Sequence, residues 1–328
     1  MKHKIKVAML VGALLVVGLN PGAHAATSTK KAEAHDGKKV SKTAAKKPAV
    51  APAHRAVRPH KTVAKKVGAG EIDAGRLALR SASALVIDQN TGQPLVEKQP
   101  SAVLPIASIS KLMTAMVVLD AKLDMHEVIR IGEEDVDGLK GTHSRLPVGT
   151  TMTRETAMLL ALMSSENRAA HSLARHYPGG LSAFMQAMNR KAQALGMYNT
   201  RFEEPTGLSS NNVSTAYDLA RMVTAAARYE EIRGFTTTAE AKLELNGRIS
   251  EFRNTNALVR NDNWEIGVSK TGYISEAGRC LVMQARVADK PVVIVLLDSN
   301  GKMTRVGDAN RIKRWMESAG LAKVDRPT

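Results

Sequence analysis

Apolar and polar positions change rhythm several times along this chain. After a basic start, residues 7–19 form an unbroken run of apolar or small residues. No periodicity is visible from there to about residue 70. Residues 82–88 and 93–97 are short β-type runs separated by Gln89-Asn90-Thr91-Gly92, a pattern that predicts a hairpin. A helical region follows. Residues 112–121 are mostly apolar, 154–176 are amphipathic, and 180–196 and 216–228 keep helical spacing. Pro178-Gly179-Gly180 and Pro205-Thr206-Gly207 punctuate that region. β-type runs return at 264–270, 280–287 and 292–298, the last two around a turn at Ala288-Asp289-Lys290. Pro291 falls at a strand start, where it is tolerated. A final helix near 308–318 places Ile312, Trp315 and Met316 on one face.

Strands at both ends of this region with helices between them predict one antiparallel sheet covered by helices. That is an α+β architecture rather than a doubly wound parallel fold. No internal repeat is present.

Charge divides the chain differently. The 328 residues carry 47 Lys plus Arg against 31 Asp plus Glu, a formal net charge of +16. Residues 26–70 hold 12 basic residues against Glu33 and Asp36, whereas residues 71–328 hold 32 basic and 29 acidic ones. The excess therefore lies in the N-terminal fifth, and charge gives no reason to expect nucleic acid on the folded part.

Residues 1–25 have the order of a secretory signal peptide: Lys2, Lys4 and Lys6, the short apolar run, the breaker Asn20-Pro21-Gly22, and the small-x-small site Ala23-His24-Ala25. The run is short of the roughly 20 residues that span a bilayer. Residues 26–70 contain no Phe, Tyr, Trp, Leu or Ile, so they are expected to form a disordered basic linker. An alternative use of that segment is as an electrostatic arm for a polyanion. Residues 71–328 form the folded domain. The single cysteine, Cys280, lies in an apolar run and is expected to be a buried strand residue.

Three junctions carry candidate chemistry. In Ser108-Ile109-Ser110-Lys111, a helix beginning near Ser108 puts Ser108 and Lys111 on one face of its first turn. A lysine there opposes the helix dipole at the head of an apolar helix. Both dipole and desolvation favour the neutral amine, a base for a nearby hydroxyl. Ser110 is a competing nucleophile on another side of the helix. In Ser164-Ser165-Glu166-Asn167-Arg168, five polar residues interrupt an apolar helix, offering a hydroxyl and an amide. In Ser269-Lys270-Thr271-Gly272, a cation beside a hydroxyl can hold a carboxylate, and glycine lets a substrate backbone approach the strand.

Ser-x-x-Lys, Ser-x-Asn and Lys-Thr-Gly in this order resemble the signature set of penicillin-binding proteins and class A β-lactamases. The strings from Leu104 to Ala115 and from Met163 to Ala170 are similar to the low-molecular-mass D-alanyl-D-alanine peptidases, most of all to their endopeptidase branch, the penicillin-binding protein 7 type. The resemblance spans roughly residues 76–320 and implies an antiparallel sheet with an all-helical subdomain.

It also implies roles. Ser108 would be the acylated nucleophile, Lys111 its base, and Ser165 the proton relay to the leaving amine. Asn167, Lys270, Thr271 and Gly272 would bind substrate, and the N–H groups of Ser108 and Tyr273 would form the oxyanion hole. No metal or organic cofactor is implied. The implied partners are peptidoglycan stem peptides, with β-lactams as covalent mimics, and the implied location is the periplasm.

Three alternatives stay open at this point. A D,D-carboxypeptidase is the first; relatives of that type usually add a second β-rich domain and a C-terminal anchor, for which the 30 residues after Asp298 leave no room. A class A β-lactamase needs a water-activating carboxylate, for which Glu203 and Glu204 are the nearest and depart from the pattern. The third is a non-catalytic cell-wall-binding module. The loop from Gly141 to Leu146, with His143 and Arg145, could line the cleft but is expected to be solvated. His171 and His176, five apart, are poorly placed for a metal pair. Arg279 could serve as a second carboxylate clamp, but the direction in which it points is not given by the sequence.

Overall fold

In the computed structural model, residues 72–73 and 77–324 are described, and the expected signal peptide and basic linker lie outside them. The chain order is β1 (Ile72–Asp73), β2 (Ser81–Asp88), β3 (Pro94–Lys98), β4 (Leu104–Pro105), a 3-10 turn Ala107–Ser110, α1 (Lys111–Asp120), β5 (Val128–Arg130), β6 (Thr151–Thr153), α2 (Arg154–Met163), α3 (Asn167–Arg175) and α4 (Gly180–Ala194). Then come β7 (Val213–Ser214), α5 (Ala216–Ala226), α6 (Glu230–Thr237), β8 (Glu240–Leu245), β9 (Arg248–Arg253), β10 (Glu265–Ile274), β11 (Gly278–Val287), β12 (Lys290–Ser299) and α7 (Thr304–Val324).

Six strands form the main sheet in the order β1-β3-β2-β12-β11-β10. All neighbours are antiparallel except the two-residue pair of β1 with β3. The α+β expectation therefore holds, with one short parallel exception at an edge.

Side chains of a strand alternate between faces, and here the two faces bury different layers. Val293, Val295 and Leu297 of β12 join the core that contains α1 to α6, while Val292, Ile294 and Leu296 join the one that contains α7. This is why the central strands read as continuous apolar runs. On the far side Asp308 of α7 is fully buried and accepts hydrogen bonds from Arg80 N, Ser81 N and Ser81 Oγ. That carboxylate ties α7 to the start of β2.

The helical layer is built around α1, whose residues from Lys111 to Val118 are all buried. A helix enclosed on every side needs no polar face, which explains its composition. Thr153 and Thr215 cap α2 and α5 by accepting from Thr156 N and Asp218 N at 3.1 Å each.

The stretch expected as one amphipathic run over 154–176 is two helices. Ser164 donates back to Leu160 O at the end of α2, and Ser165 takes a left-handed φ of 63° before α3 begins. Helix α6 and the β8–β9 hairpin also lie where the sequence reading placed no element.

Candidate active site

The first junction is tighter than a helix start. Residues Ala107–Ser110 form a 3-10 turn, entered through Ala107 at φ 50°, and α1 begins only at Lys111. A 3-10 turn has three residues per turn, so side chains at i and i+3 eclipse. Ser108 and Lys111 are such a pair, and Lys111 Nζ lies 2.9 Å from Ser108 Oγ. The same nitrogen donates to Asn167 Oδ1 at 2.7 Å and to Thr206 O at 2.6 Å. Ser110 is out of contention as a nucleophile. It is fully buried, donates to Ala107 O and accepts from Asn212 Nδ2.

The second and third junctions meet each other. Lys270 Nζ donates to Ser165 Oγ at 2.9 Å, from the edge strand β10 to the break between α2 and α3. Asn167, the first residue of α3, accepts from Lys111 and donates through Nδ2 to Thr142 Oγ1 at 3.0 Å. Thr271 Oγ1 donates to Thr255 Oγ1 at 2.7 Å. The left-handed backbone at Ser165 is the kind of local strain that persists only where surrounding structure fixes it.

Two glycines bring the nucleophile turn into place. A Cβ on Gly272 would lie 2.9 Å from Ile106 O and 3.0 Å from Ser108 N. The small size of Gly272 is thus used against the protein's own 3-10 turn, in addition to any room it gives a substrate. On the other side, a Cβ on Gly207 would lie 1.9 Å from Ala107 O, and Gly207 has φ 87°. Replacing Gly207 by alanine should therefore destabilise the fold by about 3 kcal/mol. Thermal denaturation checks this, and an unchanged midpoint would show that the Ala107–Ser108 peptide is not clasped as described.

Glu204 organises that second side. Its carboxylate accepts from Thr206 N, Thr206 Oγ1, Gly207 N and Asn212 Nδ2. Its oxygens are engaged in holding the loop whose Thr206 carbonyl receives Lys111. Glu203, at the exposed rim, bonds Ser209.

The electrostatics follow from burial. Desolvation lowers the pKa of Lys111 to about 7, with Glu204 and Glu166 pulling the other way. The sequence argument gave the helix dipole an equal part; desolvation is the dominant cause. Burial also drives Lys270 well below the ordinary lysine range, helped by the charges of Lys111 and Arg305. Arg305 of α7 donates to Gly272 O and Cys280 O. Burial raises the Cys280 thiol to about 11, so this cysteine is a packing residue.

Residues from outside the three motifs complete the site. The loop expected to be solvated is bound to it: Thr142 reaches Asn167, and Ser144 and Arg145 both bond the buried carboxylate of Glu166. Arg145 also lies 4.4 Å over the Phe252 ring. His143 is exposed. His171 is paired with Asp135, and His176 with Ser172 O.

With this geometry in hand, the family model described as D-alanyl-D-alanine carboxypeptidase matches residues 70–301. The chain belongs to the D-alanyl-D-alanine carboxypeptidase family. It is 50% identical over 248 residues to a D-alanyl-D-alanine endopeptidase of Pseudomonas aeruginosa, covering 75% of this chain and 80% of the relative. It is 47% identical over 253 residues to the D-alanyl-D-alanine endopeptidase of Escherichia coli, covering 76% and 82%. The D-alanyl-D-alanine carboxypeptidase DacF of Bacillus subtilis is 32% identical, covering 71% of this chain and 62% of the relative. Among solved structures, the DD-transpeptidase of Streptomyces K15 superposes with a TM-score of 0.67 at 26% identity, covering 74% of this chain and 98% of that one. The fold is that of the penicillin-binding D,D-peptidases, and family membership makes the chain a serine hydrolase of the D-alanyl-D-alanine peptidase type. Among the described residues, no helix of this family member is long and apolar enough to cross a membrane.

Proposed function

We propose that this chain is a serine-type D,D-endopeptidase that cleaves D-alanyl crosslinks in peptidoglycan through an acyl-enzyme on Ser108. The observation that carries the reading is the set of partners of Lys111 Nζ. A neutral amine has two N–H bonds and one lone pair. Two of its three neighbours, Asn167 Oδ1 and Thr206 O, are oxygens that can only accept. They take the two N–H bonds, which leaves the lone pair for the remaining neighbour, the hydroxyl of Ser108. With its pKa brought to about 7, Lys111 is neutral in a substantial fraction of molecules at neutral pH.

In this reading Ser108 Oγ attacks the D-alanyl carbonyl carbon as Lys111 takes the hydroxyl proton. The carbonyl oxygen becomes an oxyanion that the N–H groups of Ser108 and Tyr273 receive. The C–N bond then breaks and the amine leaves with the proton of Ser165, which Lys111 replaces with the one it took from Ser108. Because Ser165 Oγ accepts from Lys270, its own O–H stays free to donate. Asn167 orients the substrate amide. Lys270 and Thr271, with the charge of Arg305 beside them, hold the carboxylate on the leaving residue. Water cleaves the ester and restores Ser108. A β-lactam follows the first half of this path. The engaged oxygens of Glu204 leave no obvious carboxylate to speed hydrolysis of that adduct, which supports a peptidase rather than a β-lactamase.

Endopeptidase is preferred to carboxypeptidase because the two endopeptidase relatives are 50% and 47% identical, against 32% for the carboxypeptidase DacF. Export to the periplasm, with residues 26–70 as a basic tether able to meet polyanionic wall polymers, completes the proposal. Purified crosslinked muropeptide dimers and uncrosslinked pentapeptides should be incubated separately with the mature protein and followed by mass spectrometry. Conversion of dimers to monomers is the expected result. Release of D-alanine from pentapeptides with dimers untouched would make it a carboxypeptidase, and no product from either would favour the binding module.

A further inference from the structure

We infer that Arg279, stacked on the exposed ring of Tyr273, forms a subsite for a second carboxylate carried by the leaving stem peptide of a crosslinked substrate. The inference rests on the peptidase reading above and adds a determinant for crosslinked over uncrosslinked peptides.

Tyr273 and Arg279 are directly opposed residues of β10 and β11, so their side chains share one face of the sheet edge. The guanidinium carbon sits 4.4 Å from the ring centroid. Tyr273 is 56% exposed, unusual for a large ring beside a cleft, so the pair presents a flat, charged surface to solvent. Residues i and i+2 of a strand point the same way, which puts Tyr273 on the face of Thr271. Leu281, opposite Thr271, packs in the α7 layer, so the arginine lies on the α7 face of the sheet edge, two residues beyond Thr271 of the pair assigned to the leaving-side carboxylate.

The surroundings leave this arginine without an acid. Among the described residues no carboxylate is within ion-pair distance of Arg279. Glu276, the acid on the connecting turn, is already paired with Lys140. The positive charge instead runs on inward. Burial and, after it, the charge of Arg279 lower the pKa of Arg305, and burial, Lys111 and then Arg305 lower that of Lys270. Arg279 is the exposed-edge member of this basic cluster, and its guanidinium is open to an anionic group.

A D-alanyl-D-alanine monomer offers only one carboxylate on its leaving side, on a residue that ends in a methyl group. In a crosslinked dimer the leaving residue continues into a whole second stem peptide with carboxylates of its own. Arg279 therefore has a ligand in the dimer and none in the monomer or in benzylpenicillin. The guanidinium fork suits a planar carboxylate in two-point contact.

The test measures kcat/KM for dimer cleavage and the second-order rate of benzylpenicillin acylation for the wild type, Arg279→Gln and Arg279→Lys. A dimer in which the carboxylate on the leaving residue itself is kept and only the further carboxylates of the leaving peptide are converted to amides serves as the paired substrate. Arg279→Gln should lose about fivefold on the carboxylate dimer, an effect of the size expected for a partly solvated ion pair, with penicillin acylation unchanged. Amidation should cost the wild type the same factor, cost Arg279→Gln nothing, and cost Arg279→Lys an intermediate amount. Equal loss on dimer and penicillin would overturn the inference by making Arg279 a prop for the site, and so would amidation sensitivity in Arg279→Gln equal to that of the wild type. A wild type that acylates with penicillin but cleaves no dimer would remove the endopeptidase reading itself, a result distinct from either.

Discussion

Ser108→Ala should abolish labelling by a tagged penicillin and reduce peptide hydrolysis by about 10⁴-fold or more, while leaving the thermal midpoint near that of the wild type. The size of the effect follows from the chemistry. With no oxygen to acylate, both half-reactions are lost, and what remains is the background that an oxyanion hole and substrate positioning give. The small effect on stability follows from the structure. Ser108 is only half-buried, and its hydroxyl has one protein partner, Lys111. Lys111 keeps Asn167 and Thr206 when that partner goes. Intact-protein mass spectrometry after exposure to benzylpenicillin reads the result directly. A variant that still gains the mass of the drug would refute the assignment. Ser110 would not be the next candidate, since its hydroxyl is buried and bonded on both sides; Ser165 would be.

The three motifs were legible because each is short and local. A serine three residues from a lysine, or a Lys-Thr-Gly at a strand end, can be found without knowing what lies across the cleft. What could not be read was the material that joins them. The Thr206 carbonyl that receives Lys111 is backbone, so no residue type at 206 announces it. Glu204 was considered only as a water-activating base and dismissed. Its position two and three residues ahead of Thr206 and Gly207 is nevertheless the spacing at which an acidic side chain bonds its own downstream N–H groups. Arg305 lies 35 residues beyond Lys270 on a separate helix, and only the packing of α7 on the sheet brings it to Gly272.

The fold was legible where burial is one-sided or complete, as in the continuous apolar runs of β11 and β12. It was missed where an element buries only alternate or scattered side chains among charged ones. In the β8–β9 hairpin, Glu240, Lys242 and Glu244 alternate with Ala241, Leu243 and Leu245 around Asn246-Gly247. Both turn residues have positive φ, 52° and 71°, as a type I′ turn requires. That is a strong hairpin signal, and the density of charge around it hid the alternation. The loop at 141–146 differs from its expectation for the opposite reason. Its polar composition suggested solvent, yet Thr142, Ser144 and Arg145 are polar because they bond Asn167 and the buried Glu166.

Lys111→Met should lower penicillin acylation by about 10³-fold, and the pH dependence of the wild type should show why. A base must be unprotonated to act. Below about pH 7 the acylation rate of the wild type should fall close to tenfold per pH unit as Lys111 takes up a proton, and above it the rate should level off. The variant should show neither the fall nor the plateau at that position. Stability provides an independent reading of the same proton. The folded-state pKa of Lys111 lies below the unfolded value, so between about pH 7 and the ordinary lysine value of 10.5 the unfolded chain binds the extra proton and wild-type stability gains with rising pH. Each unfolding proton contributes about 1.4 kcal/mol per pH unit over that window. Lys270, shifted in the same direction, contributes a further share, so Lys111→Met should flatten the slope by one proton without removing it. Melting curves from pH 7 to 10 measure this. If the variant lost its acylation but kept the full wild-type slope, Lys111 would be charged throughout that range in the folded protein. The proton from Ser108 would then have to go to a base other than Lys111.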